Sequence, residues 1–111
     1  MRYTESLRNN QQFSNVYNNG RSKANKYLIA YILENNTDIN RLGIVVSKKV
    51  GNSVVRHRVK RLIKESYRLQ ENMFNSGLDI VVIARGSASS ISFNEIDSAV
   101  KHLFKIHNIM K

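Results

Sequence analysis

The stretch Ser47-Lys48-Lys49-Val50-Gly51-Asn52-Ser53-Val54-Val55-Arg56-His57-Arg58-Val59-Lys60-Arg61-Leu62-Ile63-Lys64-Glu65-Ser66-Tyr67-Arg68 decides how the rest of the chain must fold. Its second part reads as a helix. Asn52 or Ser53 can cap the N-terminus, and Gly51 frees the chain to turn just before it. On a helix of ~3.6 residues per turn, Val55, Val59, Leu62, Ile63, Ser66 and Leu69 fall on one side. Arg56, His57, Lys60, Arg61, Lys64 and Arg68 fall on the other, with Tyr67 beside them and Arg58 and Glu65 near the boundary. The apolar side demands a core. The basic side demands water or a polyanion. From Arg41 to Arg68 there are nine Lys or Arg and a single acidic residue, Glu65. A helix that merely faces solvent mixes signs and gains from Glu–Lys pairs at i,i+4. This sign bias favours a nucleic-acid contact.

Working outward, 111 residues with 41% apolar and 23% charged side chains suffice for one core, so residues 1–111 are expected to form a single RNA-binding domain. A formal net charge of +10 asks for an acidic partner. Nucleic acid fits better than membrane, because no apolar run approaches the ~20 residues of a span. The opening Met1-Arg2-Tyr3-Thr4-Glu5 leads into polar residues rather than a secretory apolar segment. Cysteine is absent, which leaves no disulfide framework and no thiolate metal site. The expected compartment is the cytoplasm. Proline is also absent, so helix ends must rely on Gly, Asn and Ser.

Residues 1–8 are expected to be loosely held. A short helix follows from Asn10 to Asn19, with Phe13, Val16 and Tyr17 on one face and Gly20 as its stop. Tyr27 to Leu33 reads as a strand with both faces apolar, so both are covered or one serves a ligand. Glu34 to Asp38 is a turn, and Arg41 to Ser47 a second strand, expected to pair with the first as a hairpin. The basic helix ends near Leu69–Asn72. Leu78 to Ala84 is almost wholly apolar and therefore central. Arg85 to Ser90 is a loop. Ser92-Phe93-Asn94-Glu95 is a capping box, opening a last helix whose Phe93, Ile96, Val100, Leu103 and Phe104 form a core stripe. The predicted order is α-β-β-α-β-α: an α/β (α+β) sandwich with helices on a small mixed sheet.

Enzymatic chemistry is missing from this pattern. His102 and His107 are five apart and do not align like the i,i+4 pair of a metal helix; both are expected at the surface. His57 lies among cations, with no orienting carboxylate beside it as a general base requires. Asp79, Glu95 and Asp97 share no obvious site. No catalytic residue and no metal ligand is assigned. The residues supply a nucleic-acid surface and nothing that would break a bond unaided.

From Ser47 to Lys64 the chain closely resembles the protein subunit family of bacterial ribonuclease P. That family carries an arginine-rich signature, R-N-x-x-K-R-x-x-R. Arg56, Lys60 and Arg61 match it. His57 stands in place of Asn and Lys64 in place of Arg; a Lys lacks the planar fork of Arg for bidentate contacts. Phe13 to Gly20, Ala24-Asn25, Arg41-Leu42-Gly43, Ile83-Ala84-Arg85 and His102-Leu103-Phe104 also sit at similar spacings, so the likeness spans nearly the whole chain. The loop after Arg85 departs from it, with Gly-Ser-Ala-Ser where members often have a proline.

The resemblance implies a fold like the second domain of a small-subunit ribosomal protein, with a left-handed βαβ crossover where right-handed is the rule. It implies a ribonucleoprotein that removes the 5′ leader of precursor transfer RNA. The RNA subunit is then the catalyst, with divalent metal (Mg) in the holoenzyme and no cofactor on the protein alone. By the same resemblance, Lys48, Lys49, Asn52, Arg56, His57, Lys60, Arg61, Lys64 and Arg68 bind RNA. Phe13, Tyr17, Ile29 and Tyr31 line a cleft for the leader. Aromatic faces stack on unpaired bases with little sequence preference, which suits a leader of variable sequence. Two other readings of the residues stand beside this one: an RNA-binding ribosomal-type structural protein, and a self-sufficient nuclease.

Overall fold

The computed structural model describes residues 4–111. Five strands form one mixed sheet: β1 (Thr4–Ser6), β2 (Arg21–Ala24), β3 (Leu28–Glu34), β4 (Asn40–Val45) and β5 (Leu78–Ala84), in the order β1-β4-β5-β3-β2. Three α-helices accompany it: α1 (Asn10–Asn19), α2 (Ser53–Gln70) and α3 (Phe93–Ile106). The expected sandwich of helices on a small mixed sheet is what forms.

The apolar run Leu78–Ala84 takes the centre, parallel to β4 on one side and antiparallel to β3 on the other. The hairpin expected between Tyr27–Leu33 and Arg41–Ser47, which form β3 and β4, therefore does not exist. β5 inserts between them because it is the strand most fully apolar and buried on both faces, and it needs neighbours on both edges and layers on both sides. Its one charged residue, Asp79, is buried and satisfied. Asp79 Oδ1 accepts from Arg41 Nε at 2.7 Å and from Asn35 Nδ2 at 2.9 Å, and Oδ2 accepts from Arg41 Nη2 at 2.6 Å. These bonds tie the turn after β3 to β4 through the strand that separates them.

The start of the chain also differs from expectation. Residues 1–3 lie outside the described range. Thr4–Ser6 is not loose but pairs in parallel with Asn40–Leu42, and the buried Leu7 donates its N–H to the Leu42 carbonyl at 3.0 Å. The short Arg21–Ala24 edge strand, antiparallel to β3, is likewise unforeseen, because all its side chains are exposed and carry no apolar alternation.

Caps replace the missing prolines. Asn9 and Asn52 accept from the backbone N–H groups of Gln12 and Val55, and Ser92 and Glu95 form the expected capping box. Gly20 ends α1 for want of space rather than by a left-handed turn: a Cβ there would lie 2.6 Å from the Val16 carbonyl oxygen.

One sheet face, through Leu28, Ala30, Ile32, Leu42, Ile80 and Val82, packs under α2 and α3. The buried arc of α2 is turned from the expected one. Val59, Ile63, Ser66, Tyr67 and Gln70 are buried, while Leu69 is 57% exposed. Tyr67, placed by the helical wheel beside the cations, is a core residue at 1% exposure. Its ring lies 5.1 Å from Phe74 and 6.3 Å from Phe104, and its hydroxyl bonds Thr4 Oγ1 at 2.7 Å. The reason is α3, which packs along the last turns of α2: Asp97 accepts from Ser66 and Gln70 there and draws the contact line toward Tyr67.

His107 is also buried, against expectation. Its Nε2 lies 2.8 Å from the Ala30 carbonyl, which requires a proton on that nitrogen, while Nδ1 is buried without a partner. Burial pushes its pKa below the ordinary value, and the nearby Arg21 and Lys23 add to the shift.

Two outcomes are expected. Ile63→Ala should cost ~2–5 kcal/mol in denaturant unfolding, whereas Arg61→Ala, on the exposed face, should leave stability nearly unchanged. A folded-state pKa below the unfolded value of ~6.5 means that the unfolded chain binds the extra proton. The His107 contribution is thus fully present above that value and lost as pH falls through the lowered one. The wild type should show this loss below pH ~6.5, and His107→Gln, which keeps a donor to Ala30, should lack it.

Candidate nucleic-acid interface

The second sheet face is only partly covered. α1 lies on it through Val16, which is buried with Leu7 and Val81 and flanked by Phe13, Tyr31 and Leu33. Helical spacing brings Phe13 and Tyr17 to the same side of α1, with ring centroids 6.4 Å apart. Tyr17 meets Tyr31 of β3 edge-on at 5.1 Å. Two residues before Tyr31 on the same face, Ile29 pairs with Ile83, which pairs in turn with Val45. All three are half-buried, and they continue the floor beyond the helix. The predicted cleft residues Phe13, Tyr17, Ile29 and Tyr31 are thus brought together as an aromatic and aliphatic trough. Burial and the neighbouring Tyr31 push the Tyr17 phenol above its usual pKa, so it stays neutral beside an anionic ligand.

Gly43 of β4 is what lets α1 sit so low. A Cβ at this position would lie 2.5 Å from Phe13 Cε1 and Cζ and 3.1 Å from Leu7 Cδ1. The aromatic ring therefore rests directly on the strand.

The basic residues occupy the other side of β4. Arg56, His57 and Lys60 line a cavity with Ser53 and Ile44–Val46. Arg56 Nε is buried there without a partner, an unspent donor. His57, Lys60, Arg61 and Lys64 are exposed. Among the described residues no carboxylate pairs with Lys60, Arg61 or Lys64, whereas Arg68 is held by Glu65. Arg68 is accordingly the least available of the predicted cations. Arg58 turns away and donates Nη2–H to the Ile91 carbonyl at 2.7 Å, a structural bond. Lys48 and Lys49 are exposed just past the end of β4, and Asn52 is spent on capping α2.

The trough and the basic helix are not separate surfaces. Phe13 lines a second cavity together with Lys60 and Lys64, across Gly43 and Ile44. Sequence reasoning did not assign Leu7, Gly43 or Ile44, which line this junction, to the site, because small and aliphatic residues carry no chemical signature. Lys26 and Arg85 were also not singled out. They flank β3 and β5 at the sheet end where Lys48 and Lys49 follow β4, and all four are exposed. Their only signal was charge next to a strand boundary.

Among the described residues no three His, Cys, Asp or Glu side chains are close enough to hold a metal ion. A hard divalent cation needs several oxygen ligands, and the described residues gather no such carboxylate cluster. No helix among the described residues is long and apolar enough to cross a membrane.

The sequence and the fold have counterparts among known proteins. The family profile of Ribonuclease P matches residues 1–108. The chain is 61% identical over 107 residues to the ribonuclease P protein component of Lachnoclostridium phytofermentans, covering 96% of this chain and 92% of the relative. It is 50% identical over 103 residues to that of Clostridioides difficile, covering 92% and 90%. The Staphylococcus aureus RNase P protein structure superposes with a TM-score of 0.89 at 34% identity, covering 96% of this chain and 97% of that one. The Thermotoga maritima protein gives 0.84 at 32% identity, covering 92% and 96%. These similarities favour neither a ribosomal-type structural protein nor a self-sufficient nuclease. The chain belongs to the ribonuclease P protein family, whose members are subunits of the endoribonuclease that processes the 5′ end of transfer RNA.

Proposed function

We propose that this ribonuclease P protein grips RNA in two ways at once. The exposed cations of α2 and its flank, with Lys60, Arg61 and Lys64 at their centre, take phosphates of the RNA subunit. The trough of Phe13, Tyr17, Ile29 and Tyr31 takes the unpaired 5′ leader of precursor transfer RNA. The observation that carries this reading is their junction: Phe13 shares one cavity with Lys60 and Lys64. A single strand leaving a phosphate-gripping helix can therefore enter the aromatic trough without crossing bare surface. Phosphate contacts position a strand without reading its sequence, and stacking tolerates any base. This division of labour assigns bond cleavage, and any divalent ion it needs, to the RNA-containing holoenzyme.

The direct test mixes the purified chain with precursor transfer RNA, with and without the RNA subunit. Stimulated cleavage only in the presence of that RNA is expected. Cleavage by the protein alone would overturn the assignment.

Two further outcomes follow from the geometry. Releasing counterions makes affinity fall with salt, by ~0.7–0.9 in log–log slope per phosphate contact. The variant combining Lys60→Ala, Arg61→Ala and Lys64→Ala should bind RNA with a slope shallower by about 2–3; an unchanged slope would remove α2 from the interface. Phe13→Ala and Tyr17→Ala should each weaken holoenzyme binding of leader-bearing transfer RNA by ~1–3 kcal/mol and leave mature transfer RNA unaffected. Equal losses for both RNAs, with melting curves recorded in parallel, would return these rings to a packing role.

A further inference from the structure

We infer that the notch between β1, β4 and α2 is a pocket for one unpaired RNA base, distinct from the trough on the far side of Phe13. This rests on the RNA-binding reading and deepens it.

β1 covers β4 only as far as the Ser6–Leu42 pair. The chain then leaves through Leu7, whose N–H reaches the Leu42 carbonyl, and turns away into α1. Beyond that point the edge of β4 is open. A strand directs its backbone groups to alternate sides, so the Ile44 carbonyl points out on the same side as that of Leu42, past the last β1 contact. The opening is a cavity of about 180 Å³. It is somewhat larger than the ~150 Å³ apolar cavity that accepts benzene in another protein, and so has room for a planar ring. Leu7, Phe13, Gly43 and Ile44 line it together with the exposed Lys60 and Lys64. No acidic residue lines it.

Each part has a role for a nucleotide and for little else. The ring and Leu7 are apolar surfaces for the faces of a base. The Ile44 carbonyl accepts a hydrogen bond from an exocyclic amino group. The two lysines lie where the attached phosphates would emerge. An open sheet edge also suits an added peptide strand, but only the Ile44 backbone points outward between the end of β1 and the end of β4, too little for a ladder. The adjoining cavity along α2, with Arg56, His57 and the shared Lys60, continues the cationic path for the neighbouring phosphates.

The test is NMR of the isotope-labelled full-length protein titrated with a short oligoadenylate. Ring-current shifts of the Leu7 methyls and a shift of the Ile44 carbonyl are expected, together with shifts on α2. Ser6→Trp, at an exposed position on the notch rim, should abolish the Leu7 and Ile44 shifts and lower oligoadenylate affinity roughly tenfold, within the range for one stacked base. It should leave the melting temperature and the salt slope unchanged. Combined Lys60→Ala and Lys64→Ala should flatten the salt slope. Shifts on α2 with silence at Leu7 and Ile44, or full affinity in Ser6→Trp, would overturn the pocket while sparing the basic-helix reading. Silence on α2 as well would overturn both.

Discussion

The constraint on which this structure depends is the burial of β5 on both faces. From Leu78 to Ala84 nearly every side chain is out of contact with water. Such a strand must be central, must have neighbours on both edges, and must have layers above and below. Strands β3 and β4 supply the edges. Because β4 and β5 are parallel, the connection between them needs a crossover, and α2 is that crossover. The position of the basic helix is therefore a consequence of strand burial. Asp79 is the one exception to the apolar run, and Arg41 and Asn35 satisfy it. Removing Arg41 would strand a buried charge, which typically costs ~3–5 kcal/mol for an ion pair.

The two sheet faces are treated unequally, and the inequality leaves an apolar row open on one of them. α2 and α3 cover most of one face. The other receives only α1, ten residues long, so the row Ile29, Ile83 and Val45 stays half-buried. Leaving apolar groups partly in water forfeits ~25 cal/mol per Å² that a longer helix would recover. A base laid on that row, as proposed above, would recover it on binding instead. Gly43 contributes by having no side chain, which lets Phe13 lie against the strand and face Lys60 and Lys64 across it.

The charge distribution follows the same division. Among the described residues, ion pairs engage Glu34, Glu65, Asp79 and Asp97, four of the eight acidic residues of the chain. None of them neutralises Lys60, Arg61 or Lys64. With a net charge of +10, the free chain carries self-repulsion that an RNA partner relieves, which makes association fast and salt-sensitive.

Much of this was legible in the residues before the fold was known. Periodicity located α1, α2 and α3, Asn52 and the Ser92–Glu95 box marked two helix starts, and the unbroken apolar run from Leu78 marked the central strand. The lopsided sign of α2 and its family signature pointed to RNA. These are local properties, set by side-chain chemistry within a few turns or a few residues. Strand partners were not legible, because a hairpin between β3 and β4 and the observed insertion of β5 bury the same residues. Nor was the fate of Tyr67, Leu69 and His107, since a helical wheel gives angles but not the direction from which α3 and the sheet make contact. The junction of trough and basic helix was decided by tertiary structure alone. It needs Leu7, Phe13, Gly43 and Lys60 in one place, and only the pairing of β1 with β4 and the return of α2 over that strand bring them there.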